Sequence, residues 1–325
     1  MPKYVISGYI GFDNFGDEAI CGVLTKHLKD NGVKDITVIS LNPEKTSRLY
    51  GVNSCKMLGF FKPILKSDIL ISGGGSLLQD VTSLKSLLYY LAVIMTALIL
   101  NKKVIIFAQG FTPFRTKIGE FLTKFVLKRC HKITVRDEVS QNLLKEMGIP
   151  SELLSDPVLS LEIPKVNRHK GIGIQLRNCR AITDEFLYYL ANEISVRFKH
   201  EEIKLLSLQD KIDLPVLEHF ASILTAKGII ARIYMNMSVA EAIHEISELE
   251  YLIGMRFHSN LIAAKSGVKI LGINYDIKVK TLSEKTGFPS VGMFGCEVSK
   301  GIDALLEVNP ENYTLPQFTF PNLIV

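Results

Sequence analysis

The sequence predicts an α/β protein with two doubly wound, Rossmann-like domains that face a cleft. Apolar, β-rich runs alternate with helical patterns along the whole chain, which is typical of parallel sheets built from βαβ units. A polar, proline-containing stretch without periodicity, 161–170, divides this alternation into two series. The length of 325 residues suits two domains, at ~100–200 residues each. We therefore expect one domain over residues 1–162 and a second over 170–325.

The first series contains five short apolar runs, which are separated mostly by segments with helical periodicity. We expect strands at 4–8, 36–40, 69–72, 104–108 and 133–135. We expect helices at 18–29, 84–100, 117–130 and 139–147.

The second series repeats the same alternation after the polar stretch. We expect strands at 171–175, 203–207, 229–233, 249–253 and 269–273. We expect helices at 184–198, 214–226, 239–247, 259–266 and 278–286. The tail from residue 309, which is rich in Pro, Asn and Phe, is expected to pack as irregular chain.

The composition restricts the class of partner. Hydrophobic residues make up 47% and charged residues 22% of the chain, as in ordinary packed globular proteins. The net charge of +5 suits anionic ligands or an acidic membrane surface. It is too small to indicate nucleic acid, and no long basic run interleaved with aromatic residues occurs.

The five cysteines are scattered and odd in number, so they predict neither a disulfide framework nor a zinc knuckle. The first residues run directly into a predicted strand, so no cleaved leader is expected. We therefore expect a reducing, cytoplasmic location. No set of His, Asp and Glu has metal-ligand spacing, and we predict no metal site.

An uninterrupted apolar run at 87–100 raises the question of a membrane. A spanning helix needs about 20 such residues, and shorter runs are typical of buried or interfacial helices. We expect a buried helix or a subunit-interface helix, which leaves a homo-oligomer open. Contact with the inner face of a membrane is the alternative.

The most informative segment is GMRFHSN, residues 254–260. It joins a predicted strand to a predicted helix, and ligands of open α/β sheets bind outside the carboxyl ends of the strands. Arg256 is a permanent cation suited to phosphate or carboxylate. His258 can transfer a proton near neutral pH. The segment predicts an anion site with its own acid or base, and a surface loop is the alternative.

Two further cations occur at strand ends of the second domain. Arg177 follows the strand predicted at 171–175, and Lys278 follows the strand predicted at 269–273. Both are expected to face the same ligand as Arg256. Solvated surface side chains are the alternative for each.

Three polar, glycine-containing loops follow strands of the first domain. The first carries Asn14 and Asp17, which either cap a turn or meet a sugar hydroxyl. The second, SGGGSLLQD, carries Gly74, Gly75 and Gln79 and exposes successive amides, although a flexible turn has the same composition. The third is AQGFTP at 108–113. Their common edge predicts a carbohydrate site.

Arg136 ends a further strand of the first domain, immediately before Asp137. It either locks the turn through that carboxylate or binds substrate.

Taken together, these motifs resemble the polysaccharide pyruvyl transferase family. The likeness covers nearly the whole chain in order, through GYIGFDNFGDEA, SGGGSLLQD, VRDEVS, DPVL, GMRFH and NYDIKV. The resemblance implies the two-domain GT-B architecture. It also implies transfer of a pyruvyl group from phosphoenolpyruvate to a sugar of a cell-wall or surface polysaccharide precursor, as a cyclic ketal, with phosphate released.

The resemblance also assigns residues. It implies that Arg256 and His258 bind phosphoenolpyruvate and act in catalysis, and that Arg177 and Lys278 bind the same donor. It implies no cofactor beside phosphoenolpyruvate, and an acceptor that is lipid-linked in many bacterial relatives. From the residues we assign Asp17 as the base for the acceptor hydroxyl.

Two alternatives stay open at this point. One is a GT-B-type glycosyltransferase that uses a nucleotide sugar. The other is a carbohydrate-binding or assembly protein without catalytic activity, in which the three cations need not share a site.

Overall fold

The structure, a computed structural model, describes residues 2–81, 83–167 and 171–324, with the exception of the side chain of Cys296. The chain divides into two compact units. The first comprises Met1–Leu161 and Gln317–Val325, and the second comprises Glu162–Pro316. Part of the polar stretch predicted as a linker, residues 168–170, lies outside the described residues.

The first unit is built on a parallel sheet with helices on both faces. Within the described residues its strands are β1 (Tyr4–Ser7), β2 (Ile36–Ser40), β3 (Asn53–Lys56), β4 (Ile69–Gly73), β5 (Lys103–Gln109), β6 (Lys132–Val135) and β7 (Glu152–Leu153). Its helices are α1 (Phe15–Asp30), α2 (Pro43–Tyr50), α3 (Phe61–Lys66), α4 (Leu84–Ile99), α5 (Lys117–Leu127) and α6 (Glu138–Glu146). Short 3₁₀ turns occur at Met57–Gly59 and Pro157–Ser160.

The strand order of this sheet is β3-β2-β1-β4-β5-β6-β7. From β1, the strands β2 and β3 extend the sheet on one side, and the strands β4 to β7 extend it on the other. The order therefore reverses between β1 and β4, which pair in parallel with Ser7 opposite Ser72. At such a reversal the two loops at the carboxyl edge diverge and leave a crevice.

The core of the first unit explains why the strands are continuously apolar. Val5, Leu70 and Ile106 pack with buried residues of α4, including Leu87 and Ile94. Both faces of the strands are covered, as expected for a parallel sheet.

The C-terminal tail, Gln317–Val325, belongs to this unit. We had expected it to belong to the second domain, over residues 170–325. Phe320 stacks on Phe107 of β5 with ring centroids 6.1 Å apart. The Tyr4 hydroxyl donates a hydrogen bond to the Leu323 carbonyl oxygen at 3.1 Å, and Leu323 is fully buried. The apolar side chains of the tail therefore complete the core of the first unit.

The second unit repeats the architecture after the polar stretch. Within the described residues its strands are β8 (Gly171–Gln175), β9 (Glu202–Leu206), β10 (Ala231–Tyr234), β11 (Tyr251–Gly254), β12 (Lys269–Ile273) and β13 (Ser290–Val291). Its helices are α7 (Asp184–Arg197), α8 (Asp210–Ala226), α9 (Val239–Ser247), α10 (Phe257–Lys265), α11 (Ile277–Thr286) and α12 (Gly295–Glu307), followed by a 3₁₀ turn at Pro310–Asn312.

The strand order of this sheet is β10-β9-β8-β11-β12-β13, and its paired strands are parallel. The reversal lies between β8 and β11. The register of the sheet sets Gly254 opposite both Gln175 and Gly272. Arg177, Arg256 and Asn274 therefore each lie two residues beyond these three aligned positions.

Two doubly wound parallel units confirm the predicted fold class. The predicted strands are present with small differences at their ends. The structure adds elements that the sequence did not indicate, among them the polar strand β3, the short helices α2 and α3, and α12.

Candidate active site

The strongest candidate site lies at the carboxyl edge of the second sheet, where its strand order reverses. Arg177 follows β8, and Arg256 follows the adjacent β11. The two segments contact each other directly, because the Arg177 amide donates to Met255 Sδ at 3.3 Å and the Arg256 amide donates to Gln175 Oε1 at 2.8 Å. The fold thus brings the two predicted arginines to one edge.

Arg256 is buried and its guanidinium is fixed by Asp213 of α8. Nε donates to Asp213 Oδ2 at 2.9 Å and Nη2 donates to Asp213 Oδ1 at 2.6 Å, so the pair is bidentate. Nη2 also donates to Gln209 Oε1 at 3.2 Å. Among the described residues, none accepts a hydrogen bond from Nη1. The hydrogen bonds of the Arg256 guanidinium to the protein therefore use Nε and Nη2.

Asp213 is itself fully buried and surrounded by donors. Beside Arg256 it accepts hydrogen bonds from the amides of Leu208 and Gln209 and from Gln175 Nε2, at 3.0–3.3 Å. A buried carboxylate is stable only when its lone pairs are satisfied in this way. The carboxylate offsets the charge of Arg256 and fixes the direction of its guanidinium.

Arg177 is held by a residue of the loop after β12, which is separated from β8 by β11 in the sheet. Its Nη1 donates to the Tyr275 hydroxyl at 3.2 Å, and its guanidinium carbon lies 5.6 Å from the centroid of the Tyr275 ring. Tyr275 belongs to the loop after β12. The loops after β8 and β12 are therefore joined across the end of β11.

His258 is the second residue of α10, and it is partly exposed. The first turn of α10 is fixed to β11, because Asn260 Nδ2 donates to the Gly254 carbonyl oxygen at 3.0 Å. Within that turn, the Ser259 hydroxyl donates to the Arg256 carbonyl oxygen at 2.7 Å. A Cβ on Gly254 would lie 2.1 Å from Asn260 Oδ1, so this contact requires glycine. The start of a helix carries partial positive charge and favours an anion.

Lys278 lies in the first turn of α11 and is partly exposed. Its amide donates to Asp276 Oδ1 at 3.0 Å, which caps the helix. It follows β12, so the predicted residues Arg177, Arg256, His258 and Lys278 follow three adjacent strands at one edge. This arrangement concentrates positive charge where a doubly charged anion could bind.

The glycine loops of the first unit follow β1 and β4, which are the strands at its own order reversal. Gly74 and Gly75 have φ angles of 58° and 72°. A Cβ on Gly74 would lie 2.3 Å from Ile20 Cγ2, and a Cβ on Gly75 would lie 2.5 Å from Asp17 Oδ1. The glycines therefore let the second loop pass against α1 and bring Asp17 beside it.

Asn14 caps the first helix of this unit. Its Oδ1 accepts hydrogen bonds from the amides of Gly16 at 3.1 Å and Asp17 at 3.5 Å. Asn14 therefore has the first of its two predicted roles, which is to cap the turn before α1. Gln79 similarly closes a local turn, since its Oε1 accepts from the Val81 amide at 2.9 Å.

Arg136 is buried and forms an ion pair with Asp156, with Nη1 3.1 Å from Oδ2. Asp137 forms a longer ion pair with Arg136, with Oδ2 3.7 Å from Nε, and also caps α6. Arg136 Nη2 also donates to the Ser76 hydroxyl at 3.4 Å. These bonds join Arg136, in the loop after β6, to Ser76 after β4 and to Asp156 after β7. The side chain of Arg136 thus holds these loops together.

Two acids near these loops have opposite pKa shifts. Burial raises the pKa of Glu18, against hydrogen bonds from the Tyr50 hydroxyl at 2.5 Å and the Gly11 amide at 2.7 Å. Burial also raises the pKa of Asp80, but hydrogen bonds from the Thr116 hydroxyl and the amides of Arg115 and Thr116 outweigh it and lower the pKa overall.

The model of the family described as polysaccharide pyruvyl transferase matches residues 14–277, which include Asn14, Asp17, the SGGGSLLQD loop and the Arg256–His258 segment. The chain belongs to the polysaccharide pyruvyl transferase family. The protein is thus a transferase, and the sequence resemblance is confirmed. No curated protein sequence matches the chain.

Solved structures show the fold of this pyruvyl transferase family member. UDP-GlcNAc 2-epimerase from Methanocaldococcus jannaschii is 13% identical, with a TM-score of 0.66 and coverage of 95% of each chain. The Neisseria meningitidis UDP-GlcNAc 2-epimerase bound to UDP-GlcNAc is 10% identical, with a TM-score of 0.62 and coverage of 94% of this chain and 91% of that chain.

The Anabaena protein HepE in complex with UDP and glucose is 7% identical, with a TM-score of 0.62 and coverage of 94% of this chain and 90% of that chain. At these identities the likeness establishes the fold alone, which is the GT-B architecture of two Rossmann-like domains.

Sequence reasoning missed several residues of the site. Asp213, Gln175 and Gln209 lack a local signal, because their partner Arg256 is distant in the chain. Tyr275 lies in the NYDIKV segment, in which the sequence pattern indicates only Lys278 as a ligand-binding residue. Glu18 is buried beside Tyr50, which lies 32 residues later, so no local pattern indicates its burial.

The opposite pKa shifts predict opposite responses to amide substitution. Glu18→Gln should raise the thermal midpoint at pH 7, because ionised Glu18 is disfavoured in the folded state; the gain should vanish as the pH falls through its raised pKa towards 4.5. Asp80→Asn should lower stability by about 1–3 kcal/mol above pH 4. That loss should disappear as the pH falls through the lowered pKa of Asp80.

Denaturation followed by circular dichroism between pH 3 and 8 measures both curves. Each variant serves as the control for the other. Two variants that respond with the same sign at pH 7 would contradict the assigned causes.

Proposed function

We propose that the protein transfers a pyruvyl group from phosphoenolpyruvate to a sugar of a cell-wall or surface polysaccharide precursor. The product is a cyclic ketal, and phosphate is released. The proposal depends on one observation: Arg177, Arg256, His258 and Lys278 follow the adjacent strands β8, β11 and β12 at one edge of the second sheet. A small, doubly charged donor needs such a cluster of cations.

The donor's two charged groups suit different parts of this edge. Arg256 Nη1, whose direction is fixed by Asp213, binds one anionic group, and the start of α10 adds its partial positive charge. Arg177, held by Tyr275, and Lys278 bind the other. Fixed cations cost little reorganisation when charge develops on the leaving phosphate.

His258 is the proposed general acid. It donates a proton to C3 of the enol, which becomes a methyl group, and C2 acquires oxocarbenium character. One sugar hydroxyl attacks C2, the C2–O bond to phosphate breaks, and a second hydroxyl closes the ketal. One of the two hydroxyl protons replaces the proton given to C3, and the other leaves with the phosphate.

The carbohydrate acceptor is proposed to bind at the glycine loops of the first unit. Asp17, beside Gly75, is the proposed base for the acceptor hydroxyl. The amides around Gly74 and Gly75 and the side chains of Asn14 and Gln79 supply polar groups there. Arg136 supports these loops through Asp156 and Ser76.

Direct assay tests the reaction. The purified protein is incubated with phosphoenolpyruvate and a panel of lipid-linked and free disaccharides. We expect consumption of phosphoenolpyruvate, release of phosphate and an acceptor mass gain of one pyruvyl ketal. Calorimetry without acceptor should show binding of phosphoenolpyruvate. Binding of a nucleoside diphosphate instead, with a hexose added to the acceptor, would establish a nucleotide-sugar glycosyltransferase and overturn the proposal.

His258→Ala should lower turnover by about 10²–10⁴-fold, because a positioned acid contributes that much. The side chain is partly exposed, so the thermal midpoint should not change. His219→Ala, at an exposed histidine of the same unit that pairs with Asp184, is the control and should keep full turnover. A fully active His258→Ala variant would refute the acid role.

Arg256→Lys should raise the KM for phosphoenolpyruvate by about ten- to hundredfold, the worth of a hydrogen bond to a charged group. Lysine can keep an ion pair with Asp213 but has no second nitrogen to direct at the donor. Arg197→Lys, at an exposed arginine paired with Asp303, is the matched control. An unchanged KM in Arg256→Lys would show that Nη1 does not bind the donor.

A further inference from the structure

Three neighbouring helices of the first unit carry apolar side chains on their solvent-facing sides. α4 packs beside both α3 and α5. The exposed residues of these helices and of the turn before α3 form what we call the apolar helix face: Leu58, Phe61, Leu65, Leu84, Leu88, Ile99, Ile118, Phe121 and Phe125. Such a concentration of exposed apolar side chains is typical of an interaction surface.

The middle helix of this face, α4, is apolar on both sides. Leu87, Leu91 and Ile94 are buried in the core. Leu88 and Ile99, on the opposite side, are exposed. A helix that is apolar all round is normally covered on all sides. The outer side of α4 therefore indicates a partner.

The neighbouring α5 has the character of an interfacial helix. Ile118, Phe121 and Phe125 recur at helical spacing and are 58%, 65% and 40% exposed. Lys117 and Lys128 flank them. An apolar stripe with lysines beside it is the pattern of helices that lie in a membrane surface.

The charge of the face is strongly positive. Residues 56–66, 84–99 and 115–129 contain nine lysines and arginines and a single acid, Glu120. Their net charge of +8 exceeds the +5 of the entire chain, so the remainder of the protein is net negative. Basic residues are therefore concentrated in the helices and adjoining segments that carry the apolar helix face.

We propose that the apolar helix face docks on an anionic lipid bilayer surface. Apolar side chains enter the boundary between headgroups and acyl chains, and the lysines and arginines contact lipid phosphates. Within the described residues no helix is long and apolar enough to span a membrane. The occupant is a membrane surface and not a second copy, because two such faces would bring like charges together.

The apolar helix face lies next to the loops that are proposed to bind the acceptor. Thr116, which precedes α5, donates to Asp80 of the second glycine loop through both its amide and its hydroxyl. α4 also begins shortly after that loop. The face thus starts beside the loops proposed for the acceptor. The inference goes beyond the proposed function and is tested without any reaction.

Vesicle flotation of the full chain tests the docking. Vesicles of phosphatidylcholine alone are compared with vesicles that also contain phosphatidylglycerol. We expect at least about tenfold tighter binding to the anionic vesicles, with loss of binding as salt is raised. Absence of flotation, or equal binding to both vesicles at every salt concentration, would overturn the proposal.

Paired variants locate the surface. Ile118→Gln/Phe121→Gln and Lys117→Glu/Lys128→Glu should each weaken vesicle binding by about tenfold or more. The controls change exposed residues of the second unit to the same extent: Val196→Gln/Ile230→Gln and Lys211→Glu/Lys300→Glu. These should bind as the unaltered protein does.

Equal loss in the variants and in their controls would overturn the location of the surface. Light scattering adds an independent outcome. If Ile118→Gln/Phe121→Gln converts a dimer to a monomer and leaves vesicle binding unchanged, the occupant of the face is a second copy and the membrane proposal is wrong.

Discussion

Both units depend on one constraint of parallel sheets. A strand cannot turn directly into a parallel neighbour, so each connection crosses over a face of the sheet before the next strand begins. When the order of addition reverses, two loops at the same edge diverge to opposite faces. This happens between β1 and β4 and again between β8 and β11. The glycine loops flank the first reversal, and the two arginines flank the second.

At the second reversal, the Asp213–Arg256 pair combines stability with orientation. Desolvating two charges is costly, and such a pair is retained only when its geometry and remaining hydrogen bonds are nearly complete. Asp213 meets that requirement through backbone amides and Gln175 as well as Arg256. The result is a guanidinium that cannot turn away from the strand edge. A free surface arginine would lose that orientation to side-chain entropy.

Much of this arrangement could be predicted from the sequence, because apolar periodicity fixes the strands and the strands fix their loops. The β11–α10 junction with Arg256 and His258 is a case in which local pattern was sufficient. Asp213 is the opposite case: it looks like an ordinary acid in the first turn of a helix, and only tertiary packing buries it. Arg136 forms the expected ion pair with the adjacent Asp137, but its shorter ion pair is with Asp156, twenty residues later, which no local pattern indicates. α12 was missed because it begins with glycine and its pattern is mixed.

The C-terminal tail, Gln317–Val325, packs on the first unit after the chain has formed the second. The backbone therefore passes from one unit to the other twice. A fragment ending at Leu161 would lack the cover that Phe320 and Leu323 give to Phe107 and Tyr4. Dividing the chain at the polar stretch would thus give an N-terminal fragment that lacks part of its core and a C-terminal fragment that carries the unpacked tail. Separate production of the first unit calls for supplying residues 317–325 alongside it.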